Sequence, residues 1–301
     1  MTWADFDPWS RHSVRGFAAQ QVAAGLGSEQ EATAYATDFF DTVLPEGLAT
    51  PTHAFWTVHV DGGPTVGHLW LRVQPTQREV EAFVFDVEIA ADARGRGLGR
   101  ATMLAGELEA RDLGATVMRL NVFGHNSPAL GLYASLGYRV EAATVSRRLG
   151  VTPAPPVTGR VVLRDMTEPE YDAARPVLER AAEGRLEHRL PQGPATSGHR
   201  LWTAREDATA VAQVWLQLLP RADGVHACIR VLEVFPELRG RGYGRATARA
   251  VERACRELGV LSLSATMAGP AVPARRLADG SGFALTAQTM QKPLERAPGC
   301  T

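Results

Sequence analysis

The sequence predicts an α/β protein made of two similar domains in tandem, each a mixed β-sheet flanked by helices. Three observations support this prediction: a glycine-rich turn between an apolar strand and a helix occurs twice, other residues repeat at the same separation, and strands alternate with helices around each turn. The 301 residues are enough for two domains that each bury a core. We expect these domains at 1–150 and 160–301, joined by a proline-containing linker at 151–159.

The first glycine-rich turn follows a predicted strand that ends at Ile89, and a helix runs on from Arg100 to about Leu113. Glycine lacks the Cβ that would keep a ligand away from the main chain, and the amides at the start of a helix attract anions. The turn lacks the Gly-Lys-Ser/Thr sequence of a P-loop. It therefore predicts a different phosphate cradle, formed by Arg94, Gly95, Arg96, Gly97, Leu98, Gly99 and Arg100.

A second copy of the turn begins 145 residues downstream, at Arg239. A period this long indicates duplication of a whole domain rather than a solenoid. The same separation relates Trp70 to Trp215, Glu88 to Glu233 and Gly137 to Gly282. We expect a second cradle at Val234, Arg239, Gly240, Gly242 and Gly244.

The first copy begins with helical sequence between Trp9 and Val43, broken near Gly25, where Ser28 followed by Glu31 has the pattern of a capping box. Because several strands precede a strand–helix–strand–helix–strand succession, the sheet should be mixed. The remaining elements of this copy are expected as strands at 55–60, 66–73, 79–89, 117–122 and 142–149 and as a helix at 128–136.

The composition narrows the class of protein. A formal net charge of -1 without a basic stripe argues against nucleic acid or an anionic membrane as partner. The N-terminus lacks the pattern of a secretory signal, and no apolar run approaches transmembrane length, so we expect a cytoplasmic protein. Three scattered cysteines, Cys228, Cys255 and Cys300, favour neither a disulfide framework nor a cysteine-rich metal site, and we expect no metal.

Together with the first turn, the segment 120–138 resembles the signature of the GNAT superfamily of N-acetyltransferases, whose turn reads Arg/Gln-x-x-Gly-x-Gly and whose following helix carries Asn, Ala, Leu-Tyr and Leu-Gly-Tyr in this order. The second half shares the turn, the Glu233 strand and the closing Gly282-Phe283. The resemblance covers nearly the whole chain as a tandem pair. It implies that each sheet splays open and that the pantetheine arm of acetyl-CoA lies in the gap.

The resemblance also implies acyl transfer from acetyl-CoA to an amine, with Tyr133 as the general acid that protonates the sulfur of CoA. The alternative is that Tyr133 only packs at the end of its helix. Asn126 would help to hold the cofactor, although a residue at a helix start could also serve only as the N-cap. The cofactor would further contact Asn121 and the main chain of Val87 and Ile89.

The general base is expected at Asp86 or Glu88, which lie two residues apart and so on one face of their strand. A buried carboxylate there could take a proton from the amine, directly or through water. The alternative is a structural carboxylate, and Glu233, which repeats Glu88, fits either role. His53 and its counterpart His199 could contact the acceptor or tie down their loop.

The second half departs from the signature. Counting back from Gly282 places Ala278, Ala271 and Val231 where the first half has Tyr133, Asn126 and Asp86. We therefore expect a catalytic first domain and a degenerate second domain that completes a pseudo-dimer, with a homodimer also open. The leading function is acetylation of a primary amine of a small molecule. The alternatives are another acyl donor or a peptide acceptor, and a CoA-binding sensor or scaffold without turnover.

Overall fold

The computed structural model describes residues 1–24, 26–76, 78–149, 160–182, 186–221, 224–269 and 282–295. The predicted linker at 151–159 and the positions Ala271 and Ala278 lie outside the described residues. The chain forms two compact units, one of Met1–Ala143 with Thr286–Thr301 and the other of Thr144–Leu285.

The first unit has two N-terminal helices followed by a mixed sheet. Its strands follow the order β1-β2-β3-β4-β11, antiparallel except for the parallel pair β3 and β4. Ser28 and Glu31 form the predicted capping box of the second helix. The elements are α1 (Trp3–Ala23), α2 (Glu29–Val43), β1 (His53–His59), β2 (Thr65–Pro75), β3 (Val80–Ile89), α3 (Leu98–Asp112), β4 (Val117–Phe123), α4 (Ser127–Ser135), the start of β5 (Arg139–Arg148) and, from the C-terminal end of the chain, β11 (Ala284–Pro293).

The second unit repeats this arrangement with one further strand before its helices. Its sheet has the order β6-β7-β8-β9-β10-β5, in which β9 and β10 are the parallel pair. The elements are the end of β5, then β6 (Val162–Asp165), α5 (Glu168–Ala181), α6 (Leu186–Arg189), β7 (His199–Glu206), β8 (Thr209–Arg221), β9 (Gly224–Val234), α7 (Tyr243–Glu257) and β10 (Val260–Ala268).

The compact units differ from the expected domains of 1–150 and 160–301 in their last strands. β11 pairs antiparallel with β4 from Ala287↔Phe123 to Pro293↔Val117, and it brings Met290 into the core of the first unit. β5 from Thr144 onward belongs to the second unit. The repeat in the sequence shows where similar segments lie along the chain. It does not show with which sheet each segment pairs, and the last strand of each repeat therefore belongs to a different unit than expected.

A buried glutamate of the central helix holds the incoming strand in each unit. In the first unit Lys292 of β11, the chain's single lysine, donates to Glu107 of α3 at 2.6 Å, and the glutamate side chain is 2% exposed. In the second unit Arg147 of β5 lies 3.2 Å from Glu252 of α7, which also pairs with Arg256. Burial of a carboxylate is unfavourable without such a partner, so each strand supplies a cation that offsets the cost of burying the glutamate.

Both sheets splay where a β-bulge interrupts the strand before the glycine-rich turn. The parallel ladder of β3 and β4 ends at Val84↔Leu120, and Phe85 is the extra residue against β2. In the second unit the ladder of β9 and β10 ends at Ile229↔Ala265, next to the extra residue Arg230. A bulge bends its strand and leaves a residue outside the ladder, and the sheet therefore opens at the same place in both units.

Candidate active site

The glycine-rich turn of the first unit forms an exposed cradle at the start of α3. Gly95 and Gly97 have φ angles of +75° and +79°, which residues with a Cβ rarely adopt, and a Cβ at either would meet no atom within 4 Å. Gly97 is the N-cap of α3 and has no side chain to bond the first amides of the helix. These amides are the groups that bind anions at helix starts. Gly240 and Gly242 repeat the conformation in the second unit, with φ angles of +78° and +84°.

The arginine that opens each turn folds back onto the preceding strand. Arg94 Nε donates to the carbonyl of Ile89 at 2.8 Å, and its NH2 lies 3.3 Å from Glu88 Oε1. The second unit has the same two contacts, from Arg239 to the carbonyl of Val234 and to Glu233, both at 3.1 Å. In both units the arginine side chain therefore holds the shape of the turn.

Helix α4 is fixed against the cradle. Arg100 NH1 donates to Ser135 Oγ at 2.9 Å, and the Leu132 side chain lies 3.5 Å from the point where a Cβ of Gly99 would stand. These contacts place α4, which carries the predicted general acid, beside the first turn of α3.

The two predicted cofactor-binding asparagines have protein partners. Asn126 is the N-cap of α4, and its Oδ1 accepts from the amide of Ala129 at 3.2 Å. Asn121 Oδ1 accepts from Thr289 Oγ1 of β11 at 2.8 Å. Asn126 thus has the capping role considered above as an alternative to cofactor binding. Asn121 is exposed at the surface, and its side chain is held by a hydrogen bond from β11.

Tyr133 is a buried phenol close to a negative charge. The residue is 7% exposed, and its hydroxyl forms no hydrogen bond with a described residue. Burial, together with the charge of Asp86, raises the pKa of Tyr133 to about 12. The phenol therefore holds its proton at neutral pH.

Asp86 lies in a cluster that sequence reasoning missed. Its Oδ2 accepts from Ser13 Oγ of α1 at 2.7 Å and lies 2.8 Å from Nε2 of the buried His68 on β2. Glu88, on the same face, lies 2.8 Å from His12 Nε2 of α1 as well as beside Arg94. The first helix thus covers both carboxylates.

Aromatic packing places α1 over this cluster. The ring of Trp9 lies 5.5 Å from the ring of Trp70 on β2 and 5.9 Å from His68, both nearly perpendicular. Phe6, Phe40 and Leu44 belong to the same buried cluster. Since His12 and Ser13 follow Trp9 by less than two turns, the packing of this tryptophan brings both side chains to the bulge of β3.

The second unit lacks this cluster. Val231, 8% exposed, occupies the position of Asp86, and Gln213 replaces His68 and donates to Glu233 at 3.2 Å. A comparison of the two repeats could have identified His68, because it changes together with Asp86 between the halves. His12 and Ser13 give no such signal, since the described part of the second unit has β6 before α5 and no helix corresponding to α1.

The repeated histidines are bonded to the repeated tryptophans. Trp70 Nε1 donates to His53 Nδ1 at 2.8 Å, and Trp215 Nε1 donates to His199 Nδ1 at 2.9 Å. Burial and the charge of Arg72 lower the pKa of His53 to about 4. These contacts favour the role of a loop tie for both histidines over contact with the acceptor.

The fold and this site define a tandem acyltransferase of the GNAT type. The profile of the Acetyltransferase (GNAT) family matches residues 21–138 and 163–283, so the chain belongs to this family and contains its domain twice. The predicted superfamily and fold class are thereby confirmed.

Curated relatives and a solved structure agree with this assignment. The uncharacterized N-acetyltransferase YdgE of Bacillus subtilis is 32% identical over 149 residues, which are 50% of this chain and 95% of that protein. The mycothiol acetyltransferase of Pseudarthrobacter chlorophenolicus is 32% identical over 136 residues, 44% of this chain but only 39% of that protein. A GCN5-related N-acetyltransferase from Sphaerobacter thermophilus shares the fold over 95% of this chain and 93% of its own, with a TM-score of 0.59 and 20% identity.

None of the described helices combines the length and the apolar character needed to cross a membrane. Within the described part of the chain, histidine, cysteine and acidic side chains do not group in a way that could hold a metal ion.

Proposed function

We propose that the first unit is an acetyl-CoA-dependent N-acetyltransferase that acetylates a primary amine of a small molecule. The single observation that carries this proposal is the buried Tyr133, which lies close enough to Asp86 at the bulge of β3 for the charge of that carboxylate to raise its pKa. A relative named for mycothiol, a small molecule, supports the class of acceptor. The second unit, with Val231 in place of Asp86, would not perform the reaction.

The residues present fit acetyl-CoA, which members of this family generally use. The amides from Gly95 to Arg100 would hold the pyrophosphate, because the cradle is exposed and free of β-carbons at its two left-handed glycines. The main chain of Val87 and Ile89 lies beyond the last β3–β4 pair and would receive the pantetheine as an added strand. When bound, the cofactor supplies an acetyl group activated as a thioester.

Tyr133 would keep a proton ready for the departing sulfur. Its pKa of about 12 means that it stays protonated at neutral pH, so the proton is in place when the sulfur departs. As the carbon–nitrogen bond forms and the carbon–sulfur bond breaks, the phenol would give its proton to the thiolate. The tyrosine would regain a proton from solvent before the next turnover.

We assign removal of the amine proton to Asp86 together with His68. These two side chains lie 2.8 Å apart, and Ser13 orients the same carboxylate oxygen. Glu88 remains the alternative, but its pairing with Arg94 is repeated by Glu233 and Arg239 in the second unit, as expected of a contact that holds the turn. Asp86 and His68 occur only in the unit that also has Tyr133.

Replacement of the phenol tests the proposal. Tyr133→Phe should lower kcat by about 10²- to 10⁴-fold, the usual contribution of a general acid, while the Kd for acetyl-CoA stays within about twofold. The readout is thiol release with a panel of small amines, paired with calorimetric titration of acetyl-CoA.

Tyr138→Phe is the matched control, because Tyr138 is also buried but donates its hydroxyl to Met118 Sδ at 3.0 Å. This variant should keep its turnover. Unchanged turnover of Tyr133→Phe would show that the tyrosine only packs and would remove the basis of the mechanism.

The second unit has a candidate function of its own, binding of CoA without turnover. Gly240 and Gly242 repeat the open cradle, and Arg239 repeats the contacts of Arg94. Acetyl-CoA titration of the Gly97→Trp variant tests it, because any binding that persists would have to come from the second cradle.

A further inference from the structure

An open cleft of about 330 Å³ in the second unit has no place in the proposed reaction. Among the described residues, the side chains that line it are those of His188, Arg189, His199 and Gln217. The first two end α6, and the other two are Cα partners on β7 and β8. None of them belongs to the glycine-rich turn, so the cleft is not the phosphate cradle.

The charge around the cleft is positive. Besides burial, the charges that lower the pKa of His199 are those of Arg230 and Arg189. Arg230 lies at the bulge of β9, with its guanidinium 5.9 Å from the ring of Trp215. Two arginines close to one neutral histidine favour a negatively charged partner.

The cleft also presents hydrogen-bond donors. Arg189 Nε is buried and has no acceptor among the described residues. Because His199 Nδ1 accepts from Trp215, the neutral ring carries its hydrogen on Nε2. An oxyanion in the cleft would accept from the guanidinium of Arg189 and from His199 Nε2.

The first unit fills the corresponding positions differently. Phe85 occupies the position of Arg230 and stacks on Trp70 with 4.5 Å between the ring centroids. Arg72, in place of Gln217, lies 5.2 Å over the ring of Phe85. In the first unit Arg72 is thus covered by aromatic rings. In the second unit the arginine is Arg230, which stands at the bulge itself.

We propose that this cleft of the second unit binds a small oxyanion, the carboxylate or phosphate group of a small molecule. Arg189 lines the cleft and supplies a charged donor, and His199 Nε2 and the Gln217 amide supply further hydrogen bonds. Arg230, whose guanidinium donates to the carbonyl of Ala181 at 3.3 Å, adds positive charge near His199 without lining the cleft. The site lies within one unit and does not depend on acetyl transfer in the other.

Calorimetric titration of the full-length chain tests this site, with succinate in one arm and inorganic phosphate in the other, at constant ionic strength. Saturable binding is expected in at least one arm, and the arm that binds identifies the chemical group. Arg189→Gln should weaken binding about tenfold, as expected when one charge-assisted hydrogen bond is lost. Arg230→Gln, which removes only a nearby charge, should weaken it about threefold. Arg249→Gln, an exposed position on α7, is the matched control and should bind like the wild type.

Two further variants keep the test decisive. Gly242→Trp, which obstructs the second cradle, should leave succinate binding unchanged. Arg189→Lys is the second variant at this position, to be used if Arg189→Gln does not fold. It keeps the charge and should bind within about threefold of the wild type. Absence of saturable binding in both arms, or equal binding by the wild type and both glutamine variants, would overturn the proposal. Neither result depends on acetyl-CoA turnover.

Discussion

At the bulge of β3 the first unit carries Asp86, and at the bulge of β9 the second unit carries Val231. Around these positions the units agree closely: the same arginine–glutamate contact shapes both glycine-rich turns, and the same tryptophan–histidine bond ties both loops. The shared contacts maintain the fold. Among the contacts found in one unit alone, those of Asp86 with His68 and Ser13 are the ones for which we propose a chemical role.

The largest expected effect concerns the ion pairs that the buried glutamates form in the two units. Lys292→Met removes the closest partner of Glu107, whose side chain is 2% exposed, and should lower the free energy of unfolding by about 3 kcal/mol. Arg147→Met in the second unit should cost only about 1 kcal/mol, because Glu252 keeps Arg256. Urea denaturation of both variants measures the difference.

A double variant checks the cause of this loss. Glu107→Gln combined with Lys292→Met removes the buried charge together with its partner and should recover part of the stability. Equal losses in Lys292→Met and Arg147→Met would contradict the account of the two ion pairs.

The next largest effect concerns the residue beside the bulge, which is Asp86 in the first unit and Val231 in the second. Asp86→Val gives the first unit the residue of the second and should lower kcat by about 10²-fold, because the acceptor for the amine proton is lost. Asp86→Asn, which keeps the size and can still accept from Ser13, should lose a similar factor. Thiol release at saturating acetyl-CoA measures it, and retention of full turnover in both variants would exclude Asp86 as the base.

A smaller effect concerns pH. Below pH 6.5 the histidine of the unfolded chain is protonated, whereas His53 in the folded protein stays neutral down to about pH 4. Unfolding then takes up a proton, so stability falls as pH falls through this window, on the order of 1 kcal/mol after solvent screening. His53→Gln should flatten this part of the Tm–pH curve, and an unchanged slope would count against a neutral His53.

The smallest expected effect concerns the arginine–glutamate contact that both units share. Glu88→Gln and Glu233→Gln each weaken a partly exposed pair with arginine and should cost about 0.5 kcal/mol in their own units. Turnover of Glu88→Gln should stay within about threefold of the wild type. A loss of 10²-fold or more would move the role of base from Asp86 to Glu88.

The sequence allowed the cradle and the repeat to be predicted because both depend on local features. The glycines of the turn, which adopt positive φ, and the helix start that follows them form a pattern of a few adjacent residues. The repeat is recognised by comparing the two halves of the sequence at a fixed separation of 145 residues. The capping box at Ser28 and Glu31 was predictable for the same reason.

The exchange of the last strands and the cluster around Asp86 could not be predicted in this way. β11 reaches β4 across about 170 residues, and Ser13 reaches Asp86 across 73, so neither contact leaves a local pattern. The bulge at Phe85 is equally hidden, because one extra residue does not disturb the alternation enough to be recognised. Only His68 left a signal, as a residue that changes between the repeats.

The most direct test of the claim that the chemistry is confined to the first unit compares two matched glycine variants. Gly97→Trp and Gly242→Trp place the same side chain at the N-caps of α3 and α7, where φ is +79° and +84°, so the backbone strain is nearly equal. Turnover with acetyl-CoA and an amine panel should be abolished in Gly97→Trp and retained within about twofold in Gly242→Trp. Full turnover in Gly97→Trp, or its loss in Gly242→Trp, would contradict the account.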